Sequence, residues 1–178
     1  MLRTNEYEYP FRWDWQWTKI VPNVVRDFEI QNEGKTFVFS LRKGMRWSDG
    51  EPLTADDFLW WYEQSLNEEL NPSFPSNYTV AGEPVVVSKL DDYTVQYDYV
   101  KPYGLFFHIM SSPGGQIFAP MHFNQQFFPG YSDPDFIQEQ LERAGVDVWY
   151  EAWGNWTNPQ LNAAAPVAFA WVYRRDFD

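Results

Sequence analysis

The chain of 178 residues is long enough for one domain with a substantial core, and its lack of cysteine excludes disulfides and thiolate chemistry. Its 13 basic and 25 acidic side chains give a formal net charge of -12, which repels a phosphate backbone, and no basic stripe interleaved with aromatics is present, so nucleic-acid binding is not expected. Aromatic residues make up 20% of the chain, including 10 Trp, enough to raise the question of a stacking site beside the core. No run of residues is apolar and long enough to cross a bilayer, and the N-terminal MLRTNEYEYPFRWDWQW lacks the apolar centre of an export signal.

In chain order, residues 1–21 read as an extended aromatic arm of mixed charge. Phe37, Phe39 and Leu41 alternate with Val38, Ser40 and Arg42, the pattern of a half-buried strand. Ser48-Asp49-Gly50 reads as a turn in which Gly takes the positive φ that other residues resist. Pro52 bars ladder pairing, Thr54 offers an N-cap oxygen, and Asp57 stands where a capping box places its acid, so a helix is predicted from about Ala55 to Leu66. Its expected core face carries Phe58, Trp61, Tyr62 and Leu66. Asn67 to Pro84 reads as a long loop, and Val85–Leu90 with Tyr93–Tyr99 as a hairpin around Asp91-Asp92. A short helix is expected within Tyr103–Met110, then a turn at Ser111–Gly115. A second helix starts at Ser132-Asp133-Pro134, carries Phe136, Ile137, Leu141 and Ala144, and stops at Gly145. Trp149 to Trp171 reads as loop.

The segment from Thr36 to Tyr62 closely resembles the signature region of the extracellular solute-binding proteins of family 5, the oligopeptide- and dipeptide-binding proteins that feed ABC importers. The family pattern TFxLRxGxxWSDGxPxTADD is matched by Thr36, Phe37, Leu41, Arg42, Gly44, Trp47, Ser48, Asp49, Gly50, Pro52, Thr54, Ala55, Asp56 and Asp57. Agreement extends through Asp91, Asp92, Thr94-Val95, Gly114-Gly115, Phe118-Ala119-Pro120, His122, Asn158-Pro159 and Trp171. The resemblance implies a mixed α/β (α+β) fold: the first lobe of a periplasmic-binding-protein-like molecule, with a small, mainly antiparallel sheet flanked by helices. Family members are longer and close two lobes on a ligand, so residues 22–178 are read as a partial first lobe without the second, and the chain as an internal fragment.

Several features could carry chemistry. Asp56 and Asp57 point about 100° apart on a helix and do not converge on one atom, so capping explains them. Some family members bind nickel complexes, but His108 and His122 lack HxxxH spacing and no Cys accompanies them, so neither metal nor cofactor is expected. The Ser111-Ser112 and Gly114-Gly115 stretch lacks the flanks of a nucleophile elbow or phosphate loop. For ligand binding, the resemblance points to Tyr78, because a tyrosine in the corresponding loop of peptide-binding relatives lies near the ligand cleft. Trp149 and Trp153, four residues apart, are candidates for a stacking platform.

The resemblance implies a substrate-binding component of an ABC-type importer, not an enzyme, capturing oligopeptides for a membrane permease in the periplasm or outside the cell. An oligosaccharide ligand is the alternative within the family. A carbohydrate-active enzyme would need two carboxylates across a cleft, and a stand-alone interaction module is a third reading.

Overall fold

The computed structural model describes residues 8–112 and 115–168; Gly114 and Trp171 lie outside them. The centre is a four-stranded antiparallel sheet in the order β3-β4-β8-β7, built from β3 (Val25–Gln31), β4 (Thr36–Leu41), β7 (Val86–Asp91) and β8 (Thr94–Asp98). Alternation sets its faces: Phe28 opposes Phe39, Phe39 opposes Val95, and Phe37 opposes Tyr97, so one face is a continuous apolar row. Phe37, Phe39, Leu41, Val95 and Tyr97 are all buried. The expected strand at 37–42 and the hairpin around Asp91-Asp92 are both present, whereas β3 is a further strand that the sequence pattern does not disclose.

The first residues of the described chain differ from an extended arm. β1 (Phe11–Trp13) and β2 (Ile20–Pro22) pair as a hairpin. Phe11, 1% exposed, enters the core with its ring 5.1 Å from Phe39 and 5.0 Å from Phe107. At the hairpin tip Asp14 accepts from the Thr18 amide at 2.7 Å and the Thr18 hydroxyl at 2.8 Å, and these bonds hold its carboxyl below the usual range.

α1 (Ala55–Leu66) begins with the expected capping box: Thr54 Oγ1 accepts from the helix's first turn, and Asp57 Oδ2 accepts from the Thr54 amide at 2.9 Å. Its buried face is rotated from the one predicted. Phe58 and Trp60 are buried, Trp61 and Tyr62 only in part, and Leu66 is 48% exposed. The reason is that α1 serves two clusters. Phe58 packs into the sheet core, while Trp60 belongs to a second cluster with Phe127, Phe128, Leu141, Trp149, Ala152 and Trp156. An apolar band serving two partners is wider than the single stripe that periodicity predicts.

Beyond α1, Asn67 Oδ1 accepts from the amides of Glu69 and Leu70, and the Asn71 side chain donates to the Gln64 carbonyl, which closes the helix end. The loop carries the short ribbon β5 (Thr79–Val80) and β6 (Glu83–Pro84). α2 (Phe106–Met110) caps the sheet core with Phe106 and Met110. α3 (Met121–Asn124) precedes α4 (Pro134–Ala144), whose Asp133 N-cap, first-turn Pro134 and left-handed Gly145 are as read from sequence. The region expected to be loop contains α5 (Trp149–Thr157). Its buried residues Trp149, Ala152 and Trp156 are spaced for one helix face; Gly154, Asn155 and Thr157 lower its intrinsic propensity, and packing against Phe127 and Phe128 overrides them.

Asp57 is the buried polar hub. At 3% exposure it also accepts from Trp47 Nε1 at 3.1 Å and from the Met121 amide at 3.1 Å, while its own carbonyl accepts from the Ala119 amide at 3.1 Å. Asp57→Ala strands those donors and is expected to cost about 2–4 kcal/mol in urea unfolding. Burial raises the Asp57 carboxyl above its ordinary value, against the lowering effect of the Thr54 and Met121 amides and the Trp47 indole. A carboxyl whose pKa is higher folded than unfolded adds most stability below its unfolded value and loses that contribution as pH rises through the folded one. Wild-type stability relative to Asp57→Asn is therefore expected to rise as pH falls through the raised folded value toward the ordinary carboxyl range. At Gly115 an added Cβ would lie 2.6 Å from the Ile109 oxygen and 2.7 Å from Met110 Cα, both backbone atoms that cannot yield. Gly115→Ala is expected to lower stability by about 1–3 kcal/mol in the same assay.

Candidate functional site

Tyr78 ends a short 3-10 turn, Ser76–Tyr78, in the loop after α1. It is 3% exposed, with its ring edge-on to Trp61 at 5.0 Å. Its amide donates to the Pro75 carbonyl and its carbonyl accepts from the Val85 amide. Burial, with a smaller effect from Tyr103, pushes its phenol well above the ordinary tyrosine range. Tyr78 thus stands in the wall of the core as a neutral phenol.

Trp149 and Trp153 are brought together, but at right angles. Their rings are 5.6 Å apart at 86°, and the Phe128 ring meets both edge-on, at 5.0 Å and 5.5 Å. Trp149 is 8% exposed and its Nε1 donates to Glu69 Oε2 at 2.7 Å, tying α5 to the chain just beyond α1. Stacking requires an uncovered ring face. Of the two indoles, Trp153 keeps the larger accessible surface.

Between α1, the 116–124 segment and the 157–166 segment lies a cleft of about 390 Å³, within the usual size of ligand pockets. Trp61 and Gln64 line it from α1, Phe118 and Pro120 from the next wall, Asn124 from α3, and Thr157 from the end of α5. None of its lining residues among those described is charged. None of the three predicted aromatics is among the described residues that line it: Tyr78 meets the lining Trp61 edge-on at 5.0 Å, and the backbone carbonyl of Trp153 accepts from the lining Thr157 hydroxyl at 2.8 Å. Gln64 Nε2 and Asn124 Oδ1 are buried and find no hydrogen-bond partner among the described residues. Asn124 is 4% exposed. Neither residue was singled out in the sequence, although each is an amide set among aromatics, Gln64 after Trp60-Trp61-Tyr62 and Asn124 between Phe123 and Phe127-Phe128.

A second, shallower hollow of about 620 Å³ lies at one end of the sheet, lined by Asn32, Glu33, Lys35, Thr36, Asp98 and Tyr99. Its polar groups largely satisfy one another: the Asn32 amide donates to Thr36 Oγ1 and the Thr36 hydroxyl to Asp98 Oδ1. His122 Nε2 faces Asp49 Oδ2 at 2.7 Å and His108 packs against Trp13. Among the described residues no group of three or more His, Asp or Glu comes together as a metal ion would require. Nor is any helix among them long and apolar enough to cross a membrane.

The arrangement can hold a neutral ligand by hydrogen bonds and apolar contact, and comparison with known proteins agrees with a binding role. A periplasmic alpha-galactoside-binding protein of Rhizobium meliloti is 26% identical over 160 residues, covering 88% of this chain and 21% of its own length. A solved structure of the oligopeptide-binding protein OppA superposes with a TM-score of 0.83 at 32% identity, over 94% of this chain and 26% of that one. The periplasmic binding protein MelB of Agrobacterium fabrum C58, solved with stachyose, superposes with a TM-score of 0.68 at 25% identity, over 95% of this chain and 25% of that one. The chain thus spans about a quarter or less of the length of these relatives. Residues 19–136, well over half of the chain, match the family described as "Bacterial extracellular solute-binding proteins, family 5 Middle", and the chain belongs to that family.

Proposed function

We propose that this chain is part of the substrate-binding component of an ABC-type importer, and that the captured solute is an oligopeptide enclosed between two lobes and handed to a membrane permease. The observation that carries the reading is the superposition on an oligopeptide-binding protein at a TM-score of 0.83 over 94% of the chain. The cleft is compatible with it: neutral, part aromatic, and furnished with amides. Capture of this kind needs no chemistry. A ligand that contacts both lobes only in the closed state shifts the population toward closure, and the permease reads that state. The location that follows is periplasmic or extracellular, at the membrane that holds the permease. In this reading Tyr78 and Trp149, 3% and 8% exposed, support the fold around the cleft, and Trp153, the more exposed indole, is the candidate for ligand contact.

An oligosaccharide ligand is the second reading, favoured by the alpha-galactoside-binding relative and by the stachyose complex of MelB. A hydrolase would need two carboxylates facing one gap, and the cleft lining offers carboxamides instead. A thermal-shift panel of tri- to pentapeptides and neutral galactosides at millimolar concentration separates the first two readings. Peptides are expected to raise Tm and galactosides to leave it unchanged; the opposite result selects the sugar. Because one lobe supplies part of the contacts, calorimetry on this chain alone is expected to give an affinity weaker than micromolar, and micromolar binding would overturn the two-lobe mechanism.

A further inference from the structure

We propose that the tip of the β1-β2 hairpin, carrying Trp15 and Trp17, is a membrane-surface anchor that rests among the phospholipid headgroups of a bilayer without spanning it. It works whichever solute the cleft holds. Trp15 is 86% and Trp17 75% exposed, the two most exposed large hydrophobic side chains among the described residues. Two indoles in open water on one turn make an apolar patch of the kind that marks an interaction site. The hairpin holds them there. Phe11 is locked in the core, the Asp14 carboxylate closes the turn on the Thr18 amide and hydroxyl, and the Trp17 amide donates to the Asp14 carbonyl at 3.0 Å. Trp17 has a φ of 58°, in the left-handed region that glycine or asparagine usually fills and that a bulky side chain enters at a cost. Folding alone favours glycine at this position. The indole that stands there instead lies against Trp13, the two rings 6.2 Å apart and 24° from parallel.

The groups around the indoles select lipid headgroups over an apolar protein face. An indole has a large apolar ring and one N–H, and it settles at the boundary of a bilayer, where the ring meets acyl chains and the N–H meets headgroup oxygens. Arg12 and Lys19 flank the tip, both exposed, and neither forms a salt bridge among the described residues. Residues 12–19 thus carry two cations and one anion, Asp14, whose carboxylate is already engaged within the turn. An apolar protein face would strip water from those cations and put nothing in its place, whereas lipid phosphates pair with them. The formal net charge of -12 does not prevent the contact. At physiological ionic strength the screening length is about 8 Å, so a surface touching the tip senses mainly the charges of the tip.

The test mixes the 178-residue chain with vesicles of phosphatidylcholine and a minority of phosphatidylglycerol, the phosphatidylcholine brominated on its acyl chains so that it quenches only indoles that touch it. Vesicles at millimolar lipid and physiological salt are expected to quench the tryptophan emission saturably. Trp15→Ser combined with Trp17→Gly is expected to weaken that binding roughly tenfold. The same double variant is expected to keep or raise Tm, because glycine suits the left-handed backbone at position 17. Arg12→Gln and Lys19→Gln are each expected to weaken vesicle binding about fivefold. Absence of quenching, or quenching that the double variant retains in full, overturns the proposal. Without quenching, an emission change with stachyose that requires Trp15 and Trp17 reassigns the tip to a sugar, and a mass in sedimentation that rises with concentration in the wild type alone reassigns it to a second copy of the chain. Each of these outcomes leaves solute capture, read by the thermal-shift panel, as it was.

Discussion

A single buried carboxylate, Asp57, fixes three stretches of chain against one another. It completes the cap of α1 at the Thr54 amide, fastens the Trp47 indole of the preceding turn, and takes the Met121 amide from the far side of the core. A carboxylate has enough lone pairs to accept all three, and an asparagine in its place would turn one acceptor into a donor facing donors. The adjoining turn adds clips of its own: the Ser48 amide donates to the Val167 carbonyl, the Val167 amide to Ser48 Oγ, and Asp49 meets His122. The run of Trp, Ser, Asp and Gly before α1 is therefore more than a tight turn, since its side chains and amides dock segments that come much later in the chain.

Around this hub the aromatic residues are divided between two clusters with α1 between them. Phe11, Phe37, Phe39 and Phe106 fill one side and Trp60, Phe128, Trp149 and Trp156 the other. Edge-to-face contacts such as Phe11 with Phe107 and Phe128 with Trp149 hold large, stiff side chains in place. The aromatic richness that suggests a stacking site is thus mostly structural, and the cleft beside it is lined by Gln64 and Asn124 as well as by Trp61 and Phe118.

Legibility followed the range of the interactions. The capping box of Thr54 and Asp57, the hairpin around Asp91-Asp92, and the Asp133, Pro134 and Gly145 signals of α4 are settled by neighbours in sequence, and all are read directly from it. The rotation of α1, the α5 helix and the β1-β2 hairpin are not, because each depends on a partner elsewhere: Phe128 for Trp60 and Trp149, Phe39 for Phe11. The same division applies to the site. That Trp149 and Trp153 meet follows only once α5 forms, and that Phe128 and Glu69 cover Trp149 depends on distant segments as well. The cleft is assembled from residues as distant as Gln64, Asn124 and Thr157, and only the folded chain brings them together.

The strand order has a further consequence, for how such a chain can vary. β4 and β8, the central pair of the sheet, are consecutive neighbours in space but are separated in sequence by α1 and the whole loop that begins at Asn67. Their pairing waits on the closure of that long excursion, which makes it a late and slow event compared with the local β7-β8 hairpin. Yet closure entropy grows only with the logarithm of length, about 0.6 kcal/mol for each doubling of a flexible loop. Extra residues placed between Asn71 and Ser76 would therefore slow assembly slightly and change stability little, while giving the rim beside Trp61 and Tyr78 a new outline. The topology makes this loop a place where length and shape can change on an unchanged sheet.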